Sequence, residues 1–223
     1  MGGSQVNGQP WTWGWNPVGY GRTNLIDLSL EPKYDAARFG KHLSSSKEIP
    51  GILVNEYRCS LAHDYTDQDS TVLEVGTRAC EFIESLPKYR RNSLGYDVNI
   101  AARLWLRGID RFLLVPPAEL VRNYPRDCAL CFWNSLDHLA DSYSYLAAGF
   151  STVFITTQIF PKERDIFVSP HFLPGTHRWY FTHEGLLAFM SDYGYEMILC
   201  SDEESKLGFP GRFTYIFKAG EKP

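Results

Sequence analysis

The stretch from Ser70 to Asp97 constrains the fold of this chain more than any other segment. Thr71–Val75 is a short apolar run rich in β-branched residues that ends at Gly76, and 79–86 then has helical spacing. A second apolar run closes with a carboxylate at Asp97. The order strand, glycine turn, helix, strand and acid is typical of a doubly wound α/β sheet. In such sheets the turn lets backbone approach a nucleoside ligand, and an acid about 20 residues on binds ribose hydroxyls.

The alternation of strands and helices continues along the chain. Strand candidates lie at 71–75, 92–96, 111–115, 127–132, 151–157, 195–200 and 212–218, and helix candidates at 79–86, 99–107, 117–122, 137–147 and 183–193. Successive β-α steps predict a mainly parallel sheet covered on both faces. The polar loop 201–211 leaves no room for a helix, so the last two strands are expected to form an antiparallel hairpin. We therefore predict a Rossmann-like, doubly wound α/β fold with seven strands.

Residues 1–69 are predicted to form an N-terminal extension of the domain 70–223. Its first part is rich in glycine and carries Trp11, Trp13 and Trp15; glycine and proline oppose regular structure there. We expect either an extended arm whose rings pack on the domain surface or a lid or partner-binding arm. The remainder, 32–64, reads mostly as helix with a break at the serines 44–46.

Composition narrows the classes of function. The chain of 223 residues is 44% hydrophobic and 22% charged, which are globular values. Its net charge of -4 disfavours a broad phosphate-binding face, and so duplex nucleic acid as a partner. No apolar run reaches the roughly 20 residues needed to span a bilayer. Five scattered cysteines favour reduced thiols, and we expect a cytoplasmic protein without membrane association.

Two residue sets with metal-ligating side chains do not have a spacing that specifies a metal site. Cys128 and Cys131 form a CxxC pair inside a predicted strand, where positions three apart face opposite sides. His171 and His177 with Asp165 or Glu184 lie on a loop whose spacing does not define coordination geometry. We therefore expect no metal.

Four pieces of 70–223 resemble the class I S-adenosylmethionine-dependent methyltransferases, in particular small methyltransferase-like proteins of bacteria and phages. They are VLEVGTRACEFIE, GYDVNIAARLWL, FWNSLDHL and HRWYFTHEGLLAFMSDYGYEMI. They are similar, in order, to the family's acid-x-Gly-x-Gly-x-Gly turn, its second-strand acid, its fourth-strand motif and its aromatic-histidine loop with the last helix. The predicted parallel sheet ending in a hairpin also matches the family.

The resemblance implies S-adenosylmethionine as cofactor and a set of contacts to it. Glu74 and Gly76 match the start of the cofactor turn, Asp97 matches the ribose-binding acid, and the remaining matching positions are Arg78, Cys80, Val98, Pro116, Trp133 and Asn134. The chain departs from the family where Arg78 and Cys80 replace the second and third glycines, because side chains there either block the cofactor or require positive φ. Arg78 either fills the site or swings out to pair with a carboxylate, such as that of the methionine part of the cofactor.

The acceptor side is expected to use histidine, whose pKa lies near working pH and suits it to take a proton. His138 follows the fourth strand and is the first candidate for base or substrate positioner, with Asp137 to orient it. His177 and Tyr180 are placed on the acceptor side of the aromatic loop, whose rings either stack on an acceptor or close the core.

The resemblance thus implies a methyltransferase acting on a small-molecule or nucleotide acceptor. Two alternatives stay open at this point. One is a non-catalytic or repurposed binding protein whose donor site is closed by Arg78 and Cys80. The other is an enzyme that uses a modified S-adenosyl donor to modify a nucleobase.

Overall fold

The computed structural model describes residues 11–25, 34–89, 92–113 and 128–220. The strands in these ranges are β1 (Trp11–Asn16), β2 (Tyr20–Leu25), β3 (Thr71–Val75), β4 (Asn92–Tyr96), β5 (Ala129–Trp133), β6 (Thr152–Gln158), β7 (Trp179–Phe181), β8 (Tyr195–Ser201) and β9 (Arg212–Ala219). The α-helices are α1 (Ala36–Ser46), α2 (Ile49–Tyr65), α3 (Glu81–Ser85), α4 (Ile100–Gly108), α5 (Ser142–Leu146), α6 (Glu163–Val168), α7 (His183–Ser191) and α8 (Glu203–Lys206). None of these helices has the length and apolar character needed to span a bilayer.

The main sheet has six strands in the order β4-β3-β5-β6-β9-β8. The four strands from β4 to β6 pair in parallel, and β9 pairs antiparallel with both β6 and β8. This confirms the predicted Rossmann-like α/β fold, mainly parallel and ending in an antiparallel hairpin. The carboxyl ends of β3, β4 and β5 meet at one edge, which we call the carboxyl edge.

The central strands β3, β5 and β6 of the main sheet are buried on both faces. Along β5, Leu130 and Phe132 belong to one apolar core, while Ala129 and Cys131 belong to the core on the opposite face. Cys128 lies in the first core and Cys131 in the second, as the alternation along a strand requires. The prediction that the CxxC sulfurs face opposite sides is therefore confirmed.

Three predictions differ from the observed elements. The loop 201–211, expected to leave no room for a helix, contains the short helix α8, in which Glu204 is buried. The strand predicted at 111–115 reduces, in the described residues, to a parallel bridge between Phe112 and Gly95, so the sheet has six strands rather than seven. Residues 114–127, with the predicted helix 117–122, lie outside the described ranges. The helix predicted at 137–147 is split into a short 3-10 helix, Leu136–His138, and α5, because the Asp141 side chain caps a new helix by accepting from the Ser144 amide.

The prediction that 1–24 lacks regular structure is wrong for the described part. The strands β1 and β2 form an antiparallel hairpin, and β2 pairs with β7 in a second, three-stranded sheet. Gly21 is required in β2, because a Cβ there would lie 2.2 Å from the Trp13 indole. That indole is buried and packs against Trp15, Phe167 and Tyr180. The tryptophan-bearing segment therefore packs on the domain as a hairpin.

The predicted N-terminal helices are present as α1 and α2, and α2 is tied to the main sheet by a buried ion pair. Arg58 of α2 donates two hydrogen bonds to Glu204, of 2.7 and 2.8 Å, and Thr156 donates a third of 2.9 Å. The Glu204 side chain is 0% exposed. Burial acts to raise its pKa, but the Arg58 guanidinium outweighs burial and holds the pKa below its usual range.

Breaking this pair from one side should destabilise the protein strongly. Arg58→Met leaves Glu204 buried without its cation, and we expect the free energy of unfolding to fall by about 3–5 kcal/mol. The double variant Arg58→Met/Glu204→Leu should lose much less, because Thr156 keeps the Thr214 hydroxyl 3.1 Å away. Urea unfolding followed by circular dichroism measures both.

The matched control is Lys206→Met, which removes a lysine from the exposed pair with Asp202. Its unfolding midpoint should equal that of the wild type, because exposed ion pairs contribute little. Equal losses in the single and double variants would show that the unpaired carboxylate is not the cause.

Candidate functional site

A cavity of about 390 Å³ opens at the carboxyl edge of the main sheet. The strand ends and the loops after them supply Val75, Gly76, Arg78, Tyr96, Asp97, Val98, Asn99, Trp133, Asn134, Ser135 and His138 to its wall. The opposite wall is built by Tyr34, Arg38 and His42 at the start and along α1, and by Arg212 of β9. Ligand sites of doubly wound sheets lie at this edge, and the volume is within the usual range for small-molecule sites.

The turn after β3 has left-handed backbone at three positions, and two of these positions carry side chains. Gly76, Arg78 and Cys80 have φ angles of 81°, 55° and 65°, all in the left-handed region. Gly76 also has no room for a side chain, because a Cβ would lie 2.5 Å from the Ser135 Cβ. Arg78 and Cys80 therefore adopt the backbone conformation that glycine would adopt.

The Arg78 side chain points toward α1 and leaves the cavity open. Its Nε donates to His42 Nδ1 at 3.0 Å and its Nη2 donates to Ser45 Oγ at 3.2 Å. Of the two alternatives drawn from the sequence, Arg78 does not fill the site, and its side-chain partners in the described residues are an imidazole and a hydroxyl. Its backbone amide donates to Asp97 Oδ2 at 3.0 Å.

Asp97 stands at the end of β4, where its carboxylate lines the cavity. It is 6% exposed and accepts from the amides of Arg78 and Asn99, the latter at 2.7 Å. Burial raises its pKa above the ordinary value, against the two amide donors, which lower it. An acceptor with a fixed orientation at this point suits a ligand that donates hydroxyl hydrogen bonds.

Several residues predicted to contact the cofactor do not line the cavity. Glu74 is buried in β3, and burial followed by the charge of Glu81 raises its pKa well above the usual value. Cys80 lies in the core under α4, with its thiol beside Thr77 Oγ1 and the Ala102 carbonyl. Both side chains lie on the buried side of the β3–α3 segment, so neither of them lines the cavity. Pro116 lies outside the described residues.

Of the predicted acceptor-side residues, His138 lines the cavity, and Asp137 and His177 lie beside His138. His138 Nε2 is 3.8 Å from Asp137 Oδ1, and His177 Nε2 is 3.9 Å from Asp137 Oδ2. His138 Nδ1 faces the Thr176 carbonyl at 3.0 Å. Burial lowers the pKa of His138, and the attraction of Asp137 only partly offsets this.

Tyr180 does not reach the cavity, contrary to the prediction. It is 1% exposed in an aromatic cluster with Trp13, Phe160 and Phe172. Its hydroxyl donates to the His177 carbonyl at 3.2 Å. The neighbouring rings of Trp179 and Phe181 close the main core, which selects the second of the two interpretations of the aromatic loop.

The contribution of α1 to the cavity was missed from the sequence. Arg38 and His42 are four positions apart, so they share one face of α1, whereas Tyr34 lies just before the N-cap Asp35. This spacing of polar side chains was the available signal. Arg212 is the first residue of β9, and no spacing pattern in the sequence indicated that it lines the cavity.

Solved structures of methyltransferases share this fold. A methyltransferase from Archaeoglobus fulgidus that depends on S-adenosylmethionine (SAM) aligns over 78% of this chain and 98% of its own, with a TM-score of 0.58 and 15% identity. The 1,6-didemethyltoxoflavin-N1-methyltransferase of Burkholderia thailandensis, solved with 1,6-didemethyltoxoflavin and S-adenosylhomocysteine, aligns over 99% and 100%, with a TM-score of 0.58 and 12% identity.

A SAM-dependent methyltransferase from Clostridium acetobutylicum aligns over 83% of this chain and 97% of its own, with a TM-score of 0.54 and 12% identity. No protein-family model and no curated protein sequence matches the chain. The structural matches show that this chain has the fold of the class I SAM-dependent methyltransferases.

The contact between Arg78 and His42 should make stability depend on pH. Burial, and then the charge of Arg78, lowers the pKa of His42 from 6.5 to about 4. Between these values the unfolded chain binds a proton that the folded chain excludes, so stability falls as pH falls from 6.5 toward 4. His42→Asn keeps an acceptor near the Nδ1 position without titrating.

We expect the unfolding temperature of His42→Asn to fall less than that of the wild type across this pH window. Thermal unfolding at a series of pH values measures the difference, and other titrating groups are common to both proteins. Parallel pH profiles for the two proteins would contradict the assignment.

Proposed function

We propose that this protein is a methyltransferase that uses SAM and acts on a small-molecule or nucleotide acceptor. The observation that carries the proposal is the open cavity at the carboxyl edge, walled by the left-handed turn after β3 and by the Asp97 carboxylate. The cavity stays open because Arg78 is held by His42 and Ser45. This argues against a donor site closed by the two non-glycine residues.

The residues of the cavity fit the donor. Asp97 offers a buried carboxylate for ribose hydroxyls, and Val98, which is 51% exposed, offers apolar surface beside it for a base. Trp133 and Asn134 form the wall at the end of β5, where the methionine part would lie. The donor supplies an electrophilic methyl group, and the chain has to hold donor and acceptor in line.

His138 is the residue proposed for the acceptor side. The Thr176 carbonyl only accepts hydrogen bonds, so the neutral imidazole carries its proton on Nδ1 and its lone pair on Nε2. Burial favours this neutral form. His138 therefore has a free lone pair with which to orient an acceptor or take its proton, while Asp137 and His177 fix its surroundings.

The size and lining of the cavity support a small acceptor. Arg38 and Arg212 bring two guanidinium groups to the wall opposite the strand ends, although the net charge of the chain is -4. This local positive charge suits ligands with carboxylate or phosphate groups. The Burkholderia methyltransferase with the same fold was solved with a small heterocyclic molecule bound, which is consistent with an acceptor of this size.

Donor binding tests the proposal before the acceptor is known. S-adenosylhomocysteine should bind the wild-type protein in calorimetry, and at 100 times its dissociation constant it should stabilise the fold by about 2.7 kcal/mol. Asp97→Ala should weaken binding by about tenfold or more, because hydrogen bonds to a charged group contribute about 1.5–3 kcal/mol.

Asp69→Ala is the matched control, since Asp69 is an exposed acid in the turn before β3. It should bind the ligand as the wild type does. A folded wild-type protein that binds neither SAM nor S-adenosylhomocysteine at millimolar concentration would overturn the proposal and favour a repurposed fold.

A further inference from the structure

Asp137, His138 and His177 bring three metal-ligating side chains together beside the cavity. One oxygen or nitrogen from each lies within 4.8 Å of the other two. Among the described residues this is the group of His, Cys, Asp and Glu side chains that converges in this way. His171, which the sequence pairs with His177, takes part through its backbone carbonyl instead.

Both imidazoles are held in the tautomer that a metal site requires. His138 Nδ1 faces the Thr176 carbonyl at 3.0 Å, and His177 Nδ1 faces the His171 carbonyl at 2.9 Å. A carbonyl oxygen accepts and never donates, so each Nδ1 carries a hydrogen, and in the neutral imidazole each Nε2 has a lone pair. Histidine ligands of metals are oriented in this way by backbone carbonyls.

The third group is a carboxylate that is buried without a donor on one oxygen. Asp137 is 6% exposed, and its Oδ1 has no hydrogen-bond partner among the described residues. The two Nε2 atoms lie 3.8 and 3.9 Å from its oxygens, beyond hydrogen-bond length. With both imidazoles neutral, the two Nε2 lone pairs and the Asp137 carboxylate face one another with no hydrogen between them. A bound cation would relieve this repulsion.

We infer that Asp137, His138 and His177 bind a divalent first-row transition-metal ion, with Zn²⁺ the best match. Zinc takes imidazole nitrogen and carboxylate oxygen at about 2.0–2.2 Å, so ligand atoms in a tetrahedral site lie about 3.4 Å apart. The observed spacings, which reach at most 4.8 Å, need to contract by at most about 1.4 Å. Two histidines and one carboxylate leave one position open, as in catalytic zinc sites.

The open position gives the metal access to the cavity, because His138 also lines it. There a Lewis acid would polarise an oxygen or nitrogen of the acceptor. This last step rests on the proposed function, whereas the binding site itself does not. Under this inference His138 is a ligand that positions the acceptor through the metal, which differs from the expectation of no metal drawn from the sequence.

The loop that carries His177 is held in place from several sides. The Thr23 hydroxyl of β2 donates to the His177 carbonyl at 2.9 Å, and the Thr23 amide donates to the Arg178 carbonyl at 2.9 Å. The Arg178 amide donates to the Asp137 carbonyl at 2.6 Å. The N-terminal hairpin thus fixes one ligand against the other two, which is the preorganisation that a metal site needs.

Metal binding to the full chain tests the inference without any methyl donor. Protein stripped with chelator is titrated with Zn²⁺ by calorimetry and with Co²⁺ by visible absorption, in a Cys200→Ser background that removes the exposed thiol. We expect one ion per chain, and a cobalt spectrum without thiolate charge transfer. His177→Gln and Asp137→Asn should each weaken binding at least tenfold.

His63→Gln is the matched control. It removes an exposed imidazole near the end of α2, and His63 does not belong to the group of Asp137, His138 and His177. It should bind metal as the background protein does. Circular dichroism confirms that each variant is folded, and Zn²⁺ should raise the unfolding temperature of the background protein but not of Asp137→Asn. The inference is overturned by absence of saturable binding, by thiolate bands, or by equal binding in Asp137→Asn. Since S-adenosylhomocysteine binding is measured separately, either result can fail without the other.

Discussion

The hydrogen bond from the Arg78 amide to the Asp97 carboxylate is the contact on which the cavity depends. It joins the turn after β3 to the residue that follows β4, and so it fixes the path of that turn. The turn needs left-handed backbone at Arg78 and Cys80, which costs side-chain-bearing residues roughly 1–2 kcal/mol each. The bonds of the Arg78 side chain to α1 and the burial of Cys80 offset this cost. Side chains therefore occupy positions that usually need glycine, and the space above the turn stays open.

Local pattern was enough to predict the main sheet but not the second one. The strands β3, β5 and β6 are recognisable from composition, because strands buried on both faces are mostly apolar. The hairpin β1–β2 is rich in glycine and was predicted to lack regular structure. What makes it a strand pair is β7, far along the chain, which supplies hydrogen bonds to β2. Pairing over such a distance leaves no trace in either segment alone.

The site was predictable where a residue's place follows from the end of a strand. Gly76, Asp97 and His138 are of this kind, and all three line the cavity. The direction of the Arg78 side chain was not predictable, since its acceptors sit on α1, a helix that precedes the whole sheet. The 3.9 Å approach of His177 to Asp137 was not predictable either, because it is held by hydrogen bonds between segments far apart in the chain.

The pairing of Tyr20 with Phe181 also sets an order of events during synthesis. The hairpin is translated before the main sheet, whereas its partner strand β7 is translated after β6. Contacts between distant segments form slowly because a long loop has to close. A nascent chain therefore carries an incomplete edge with exposed indole rings for most of its elongation. Chaperones that recognise apolar extended segments would therefore find this hairpin without its partner strand until β7 is made.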